Sequence, residues 1–211
     1  MAEARVSTKW SPSDRTAGSA LFGILFLVYW ITSSLTFIGT DEWFLFDTAE
    51  SFARRGSVMR NMTADLDWPG HTYVEPVLPL LSVPLIVLAD RVPEIGVAHT
   101  VLVFNMLVTA ATGTLLFLYV RRLDYGRVVA IALALLFGLT TIAWPYSKNY
   151  FREPIAGFVL LLAAYGLLRW RQAMRRSDVW PHYWLLMATA SAAVSVLAKE
   201  SGAIGVPILV L

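Results

Sequence analysis

Cysteine is absent from the 211-residue chain, so no disulfide can staple its loops and redox chemistry says nothing about compartment. Histidine is scarce. His71, His99 and His182 fall on separate segments without metal-ligand spacing, which excludes a zinc centre. Charged residues make up only 15% of the chain against 57% hydrophobic, and the mean hydropathy is +0.60. No internal repeat or low-complexity tract is visible, and the only candidate soluble piece, the loop after the first apolar run, is too small for an independent core. The apolar runs at 18–39, 97–120, 128–144, 154–168 and 183–198 also lack the polar stripe that a soluble core helix of such length would carry. What remains is an all-α, polytopic transmembrane helix bundle, because runs of this kind cover about 30 Å of hydrocarbon.

The net charge of +2 and the pI near 9.0 do not point to nucleic acid, since the basic residues cluster beside apolar runs. Arg5, Lys9 and Arg15 precede the first run, which is too long for a signal-peptide core and lacks a small-x-small cleavage site, so it reads as an uncleaved anchor. Residues 1–17 are then a cytoplasmic tail and 18–39 the first span. Arg121, Arg122 and Arg127 bracket one short loop, and Arg169, Arg171, Arg175 and Arg176 crowd another; both belong in the cytoplasm. Parity then requires that 74–89 not cross, and Pro76, Pro79 and Pro84 agree, because proline removes backbone donors and breaks a regular lipid-exposed helix. Residues 40–96 form an outer loop with an interfacial or re-entrant segment, and 97–211 hold the remaining spans.

With that topology the inner side carries ten Lys/Arg and four Asp/Glu, and the outer side seven and eleven. A competing model, with an outer N-terminus and 74–89 spanning, divides the basic residues equally well, so the prolines and the basic N-terminal flank decide between them. The expected location is the cell (cytoplasmic) membrane, multi-pass. The chain ends inside an apolar run that begins at Ser201 and is about half the length of a span, so either more chain or a partner is expected to complete it.

The outer loop opens with Asp41-Glu42, two adjacent carboxylates at the mouth of a span, which are costly to keep there without a purpose. Residues 41–55 favour a surface helix, with Trp43, Phe44 and Phe46 interleaved with Asp47 and Glu50 and with Gly56 as a left-handed terminator. Asp41 is either a general base or the N-cap of that helix, and Glu42 in the first turn suits the helix dipole. Glu153 precedes Pro154 at the start of a span; it is a site carboxylate or an interface group paired with Arg152. Lys148 and Arg152 in the same outer turn suit a phosphate or phosphodiester. Lys199 is a cation for an anionic leaving group or half of a self-neutralising pair with Glu200. Asn105, inside a span, is expected to bond a neighbouring helix. Asn61-Met62-Thr63 matches a glycosylation acceptor and carries no weight alone.

In this order the features resemble the N-terminal half of the GT-C membrane glycosyltransferases, in particular the protein mannosyltransferase and aminoarabinose transferase branch. Asp41-Glu42 resembles the acidic pair that opens the family's first outer loop; Ala53-Arg54-Arg55-Gly56 resembles the turn ending the following helix, and Glu75-Pro76-Val77-Leu78-Pro79 its Pro-rich stretch. Tyr150-Phe151-Arg152-Glu153 is similar to the second acidic turn, and Leu197-Ala198-Lys199-Glu200-Ser201-Gly202 to a later Leu-x-Lys-Gly-Pro motif. The likeness covers roughly 20–211. It departs at Val74-Glu75, where the family has a Lys, at Glu153 in place of Asp, and at Glu200, and the family's C-terminal half has no counterpart here.

The resemblance implies inverting transfer of a sugar from a polyprenyl-phosphate donor to an acceptor on the outer face. Asp41 and Glu42 would belong to the catalytic set with Glu153, Asp41 taking the acceptor's proton. Glu153 would position the donor phosphate, with a divalent metal the one cofactor left open, and Lys148, Arg152 and Lys199 would bind that phosphate. The expected partners are the lipid-linked donor and membrane lipids. The rival reading is a non-catalytic subunit packing against other membrane subunits through small-residue faces such as Ala188–Ala193. A transporter ranks third, because the spans hold little that is polar near their centres.

Overall fold

The computed structural model describes residues 12–59, 72, 74–176 and 181–208, apart from the side chains of Pro93 and Ile208. Arg5, Lys9, the sequon at 61–63, His71 and Trp180 lie outside the described residues. The architecture among those residues is all helical, as expected. Helix α1 (Pro12–Ile31) leads through an irregular segment to α2 (Thr40–Arg55), followed by α3 (Val77–Arg91), α4 (Val97–Arg122), α5 (Arg127–Thr140), a short α6 (Ala143–Ser147), α7 (Glu153–Arg175), α8 (Pro181–Ala198) and α9 (Gly202–Ile208). Two of these, α4 and α7, are long and apolar enough to cross a membrane by length and composition.

Several boundaries differ from the sequence reading, each for a local reason. The first helix stops at Ile31 and not at residue 39, because Thr32 and Ser33 offer the backbone other partners. Thr32 Oγ1 donates to the Val28 carbonyl at 2.7 Å, Ser33 Oγ accepts from the Leu35 N–H, and Leu35 takes a positive φ of 52°. Helix α5 has 14 residues and ends before the expected 144, since Thr140 and Thr141 turn their hydroxyls back onto the Leu136 and Phe137 carbonyls and the chain bends into α6. At 1.5 Å per residue α5 is about 21 Å long. The prolines of α3 do not break it: Pro79 sits in the first turn, where a missing N–H costs nothing, and Pro84 is carried inside a continuous 15-residue helix. Gly56 does end α2 in the left-handed conformation, at φ 60°.

Polar contacts sort the helix ends into two groups. At one end Asp14, near the start of α1, meets Arg121 at the end of α4 and Arg127 at the start of α5, at 3.2 and 3.1 Å. Gln172, near the end of α7, donates to the Arg122 carbonyl, and Arg169 lies over the Trp184 ring of α8. The opposite end gathers Thr32, the start of α2, the turn 148–152 and Lys199. Helix α3 keeps to that second end. Glu75 beside its start pairs with Arg152, Ser82 meets Tyr150, and Asp90 near its end meets Arg54 at the end of α2, seven residues before α4 begins its run toward the arginine end.

Packing follows the same division. Leu45, Leu78, Ile86, Val101, Leu102, Tyr150 and Ile155 form the core at the turn-bearing end. Toward the arginine end Leu21, Phe117, Val120, Ala130 and Ala134 form a second cluster, and between the two Leu25 of α1 fills the space beside Gly113 and Gly138, where a Cβ would lie 2.5 Å from its methyls, while Tyr29 donates to the Gly138 carbonyl at 3.0 Å. The small face of α8 is buried too, Ala188, Ser191, Ser195 and Ala198 being covered, with Ala188 against Gly166 of α7.

Candidate active site

Helix α2 begins one residue earlier than Asp41. Its N-cap is Gly39, so the capping role weighed for Asp41 does not arise. The reason is Glu42, which reaches back so that Oε2 accepts from the Ile38 N–H at 2.7 Å and the Gly39 N–H at 2.8 Å. Its other oxygen accepts from the Tyr150 N–H at 2.6 Å. Glu42 is 0% exposed and both its oxygens are committed to backbone donors, while its neighbour Asp41 stands exposed at the same helix start. The two carboxylates that the sequence presents as a pair are thus a buried clamp and a free group.

The turn held by Glu42 is held from a second side by Asn105 of α4, whose amide donates to the Asn149 carbonyl at 2.7 Å and the Phe151 carbonyl at 2.8 Å. Asn105 therefore bonds the turn's backbone and not a neighbouring helix. Tyr150, fully buried, sends its hydroxyl to Ser82 Oγ at 2.7 Å, and Ser82 in turn donates to the Leu78 carbonyl. Burial raises the Tyr150 phenol above its ordinary pKa, opposed by the Ser82 hydrogen bond, so it remains a neutral donor. Phe37 lies 6.0 Å from the same ring between centroids, and Trp43 and Phe46 pack in turn against Phe37.

Three cations surround this turn. Lys148 Nζ donates to the Thr32 carbonyl at 3.2 Å and lies 5.3 Å from the Trp144 ring centroid. Arg152 pairs with Glu75, not with Glu153, and its Nε is buried without a partner. Lys199 pairs with Glu153 at 2.5 Å, not with Glu200, which is exposed. Glu153 keeps its second oxygen, Oε2, buried and unpartnered. Neither interface pairing considered from sequence is the one formed.

Beside Glu153 opens a cavity of about 450 Å³ between α4, α5, α6 and α7, lined by Thr109, Leu116, Phe137, Tyr146, Pro154 and Leu161 among others. Apart from Glu153 and a few hydroxyls its walls are apolar. It runs from Glu153 and Thr109 toward Leu161 and Leu116, seven to eight residues further along their helices, about 10 Å at helical rise. Asp41 does not line it but is tied to the same turn through Glu42.

The divalent metal considered at Glu153 finds a poor donor set. Among the described residues no three His, Asp or Glu side chains gather, and the Lys199 ammonium occupies the other carboxylate oxygen. A hard cation wants several oxygen ligands and no adjacent positive charge, so these residues do not fit one.

The sequence reading missed Glu75, Ser82 and Asn105 as parts of this turn. A lone Asn in an apolar run was the available signal for the last. Glu75 is a departure from the resembling family's pattern, and its partner in the fold is Arg152. No curated protein and no solved structure matches the chain. The model of the dolichyl-phosphate-mannose-protein mannosyltransferase family matches residues 84–211, more than half of the molecule, including Lys148, Arg152, Glu153 and Lys199 but beginning after Asp41 and Glu42. With its helical membrane architecture, the chain belongs to the dolichyl-phosphate-mannose-protein mannosyltransferase family, membrane glycosyltransferases of the GT-C class.

Proposed function

We propose that this chain transfers a sugar, mannose or a close relative, from a polyprenyl-phosphate donor to an acceptor hydroxyl at the end of the bundle that carries Asp41 and the 148–152 turn. The observation that carries the reading is the cavity: a chamber of apolar walls with a charged pair, Glu153 and Lys199, at one edge suits a ligand with an apolar chain and a charged head. Lys148 is the best placed phosphate ligand, because its contacts are a carbonyl and an indole face. Arg152 offers an unpartnered N–H, and Lys199 can exchange Glu153 for a phosphate oxygen.

Asp41, exposed and outside the hydrogen-bond network that binds Glu42, takes the proton from the acceptor hydroxyl. The acceptor oxygen then attacks the sugar's anomeric carbon from the face opposite the phosphate. The bond from that carbon to the phosphate oxygen breaks, the electron pair stays on the phosphate, and the configuration inverts. Glu42 acts by position, fixing the start of α2 against the turn. Glu153 orients the donor head beside Lys199. The positive-inside rule supports an outer position for this end, since Arg121 and Arg127 gather with Asp14 at the other.

The test is transfer by the purified full-length protein in lipid nanodiscs, with a radiolabelled polyprenyl-phosphate sugar and a hydroxyl-bearing peptide or glycan acceptor. Release of polyprenyl phosphate together with labelled acceptor is expected. Stoichiometric co-purification with other membrane subunits and no transfer would move the chain to the non-catalytic reading.

A further inference from the structure

Threonines inside apolar helices normally turn their hydroxyls onto the carbonyl four residues earlier, and on α4 Thr112 and Thr114 do so, donating to Val108 at 2.8 Å and Ala110 at 3.0 Å. Thr109, on the same helix, does not. Its hydroxyl is buried, with the residue 2% exposed, has no partner, and lines the cavity that Glu153 also lines. Glu153 Oε2 is likewise buried and unpartnered, its sister oxygen being held by Lys199. An orphaned hydroxyl and an orphaned carboxylate oxygen, buried on two residues that line one mostly apolar chamber, are costly unless something completes them, at about 1–3 kcal/mol for a neutral group and more for a charged one.

The two orphans select their ligand. A carboxylate oxygen only accepts, so it repels a phosphate oxygen and welcomes an O–H; a threonine hydroxyl can donate to the oxygen of that same O–H. An alcohol satisfies both at once, donating to Glu153 and accepting from Thr109. We propose that Thr109 and Glu153 Oε2 form a recognition point for a hydroxyl group of the substrate. This deepens the donor reading above and rests on it. The phosphate of the donor stays with Lys148, Arg152 and Lys199. The nearby Tyr146 and Phe137 supply flat apolar faces of the kind that cover the C–H surface of a sugar ring. The hydroxyl belongs to the donor's sugar or to the acceptor, and the chemistry at the point is the same for both.

The decisive variant is Thr109→Val, which keeps the shape and removes only the hydroxyl, with Thr109→Ser restoring it. Affinities of the full-length protein in nanodiscs are measured for polyprenyl phosphate and for polyprenyl-phosphate mannose, and acceptor KM in the transfer assay. If the hydroxyl is the donor's, Thr109→Val weakens the sugar-bearing lipid about tenfold, leaves polyprenyl phosphate unchanged, and Thr109→Ser recovers most of the loss. If it is the acceptor's, both lipid affinities stand and acceptor KM rises by a similar factor. Asn105 Oδ1, one turn before Thr109, is also unpartnered, so a structural water between them is the competing account. Unchanged affinities and KM, with or without a lower melting temperature, would overturn the recognition point in favour of that water. Loss of both lipids equally in Thr109→Val would also overturn it. Failure of the wild type to bind either lipid would remove the donor reading and this point with it.

Discussion

The two ends of the bundle each bury a carboxylate near the start of a helix, and they satisfy it by different means. Asp14, 5% exposed, is met by the guanidinium groups of Arg121 and Arg127, so three helix ends are drawn together by side-chain charge. Glu42, 0% exposed, is met by three backbone N–H groups, two of its own chain entry and one of the 148–152 turn. The lesson is one of availability. Had Glu42 been neutralised by a side-chain cation, as Asp14 is, Lys148 or Arg152 would have been consumed. Backbone donors do the same task and leave Lys148, whose contacts are a carbonyl and an indole face, for a ligand.

The largest effect should come from Glu42→Ala. Three buried N–H groups would lose an ionised acceptor, and thermal denaturation in detergent should show a loss of roughly 3 kcal/mol or more with transfer abolished. A variant that melts like the wild type would break the contrast between the two ends. Asp14→Ala should cost less, about 1–2 kcal/mol, because both arginines are partly exposed and can rehydrate, and the affinity for donor should not move. A change in donor affinity there would mean that the arginine end is coupled to the site. Lys148→Met should weaken donor binding by about tenfold with little change in melting, since its loss strands only a carbonyl near the surface. Tyr150→Phe is the smallest, about 1 kcal/mol, for one buried hydrogen bond to Ser82. If it instead lowered transfer as strongly as Glu42→Ala, the turn would depend on α3 more than on α2.

How far the sequence carried this picture depended on whether the signal was local. The helix at 41–55 and its Gly56 terminator were legible, because dihedral freedom at glycine and a run of helix formers act within a turn or two. The convergence of Glu153 and Lys199 with the Asp41-Glu42 loop at one end followed from span parity. The pairings did not. Arg152 with Glu75, Glu153 with Lys199, and Asn105 with two carbonyls of a turn some 45 residues away are long-range choices, fixed only when the helices pack. The helix at 77–91 runs unbroken despite its prolines for a related reason. Proline's penalty is local, but Pro79 occupies a position where it vanishes and the burial of Leu78 and Ile86 offsets the rest.

The central claim is that Asp41, the exposed member of the pair, is the base, and Glu42 its support. Single-turnover transfer by Asp41→Asn tests it most directly, measured beside donor affinity and melting temperature. The account predicts transfer slower by about 10²- to 10⁴-fold, with binding and melting unchanged, because Asp41 makes no contact on which the clamp depends. Full activity in Asp41→Asn would contradict it.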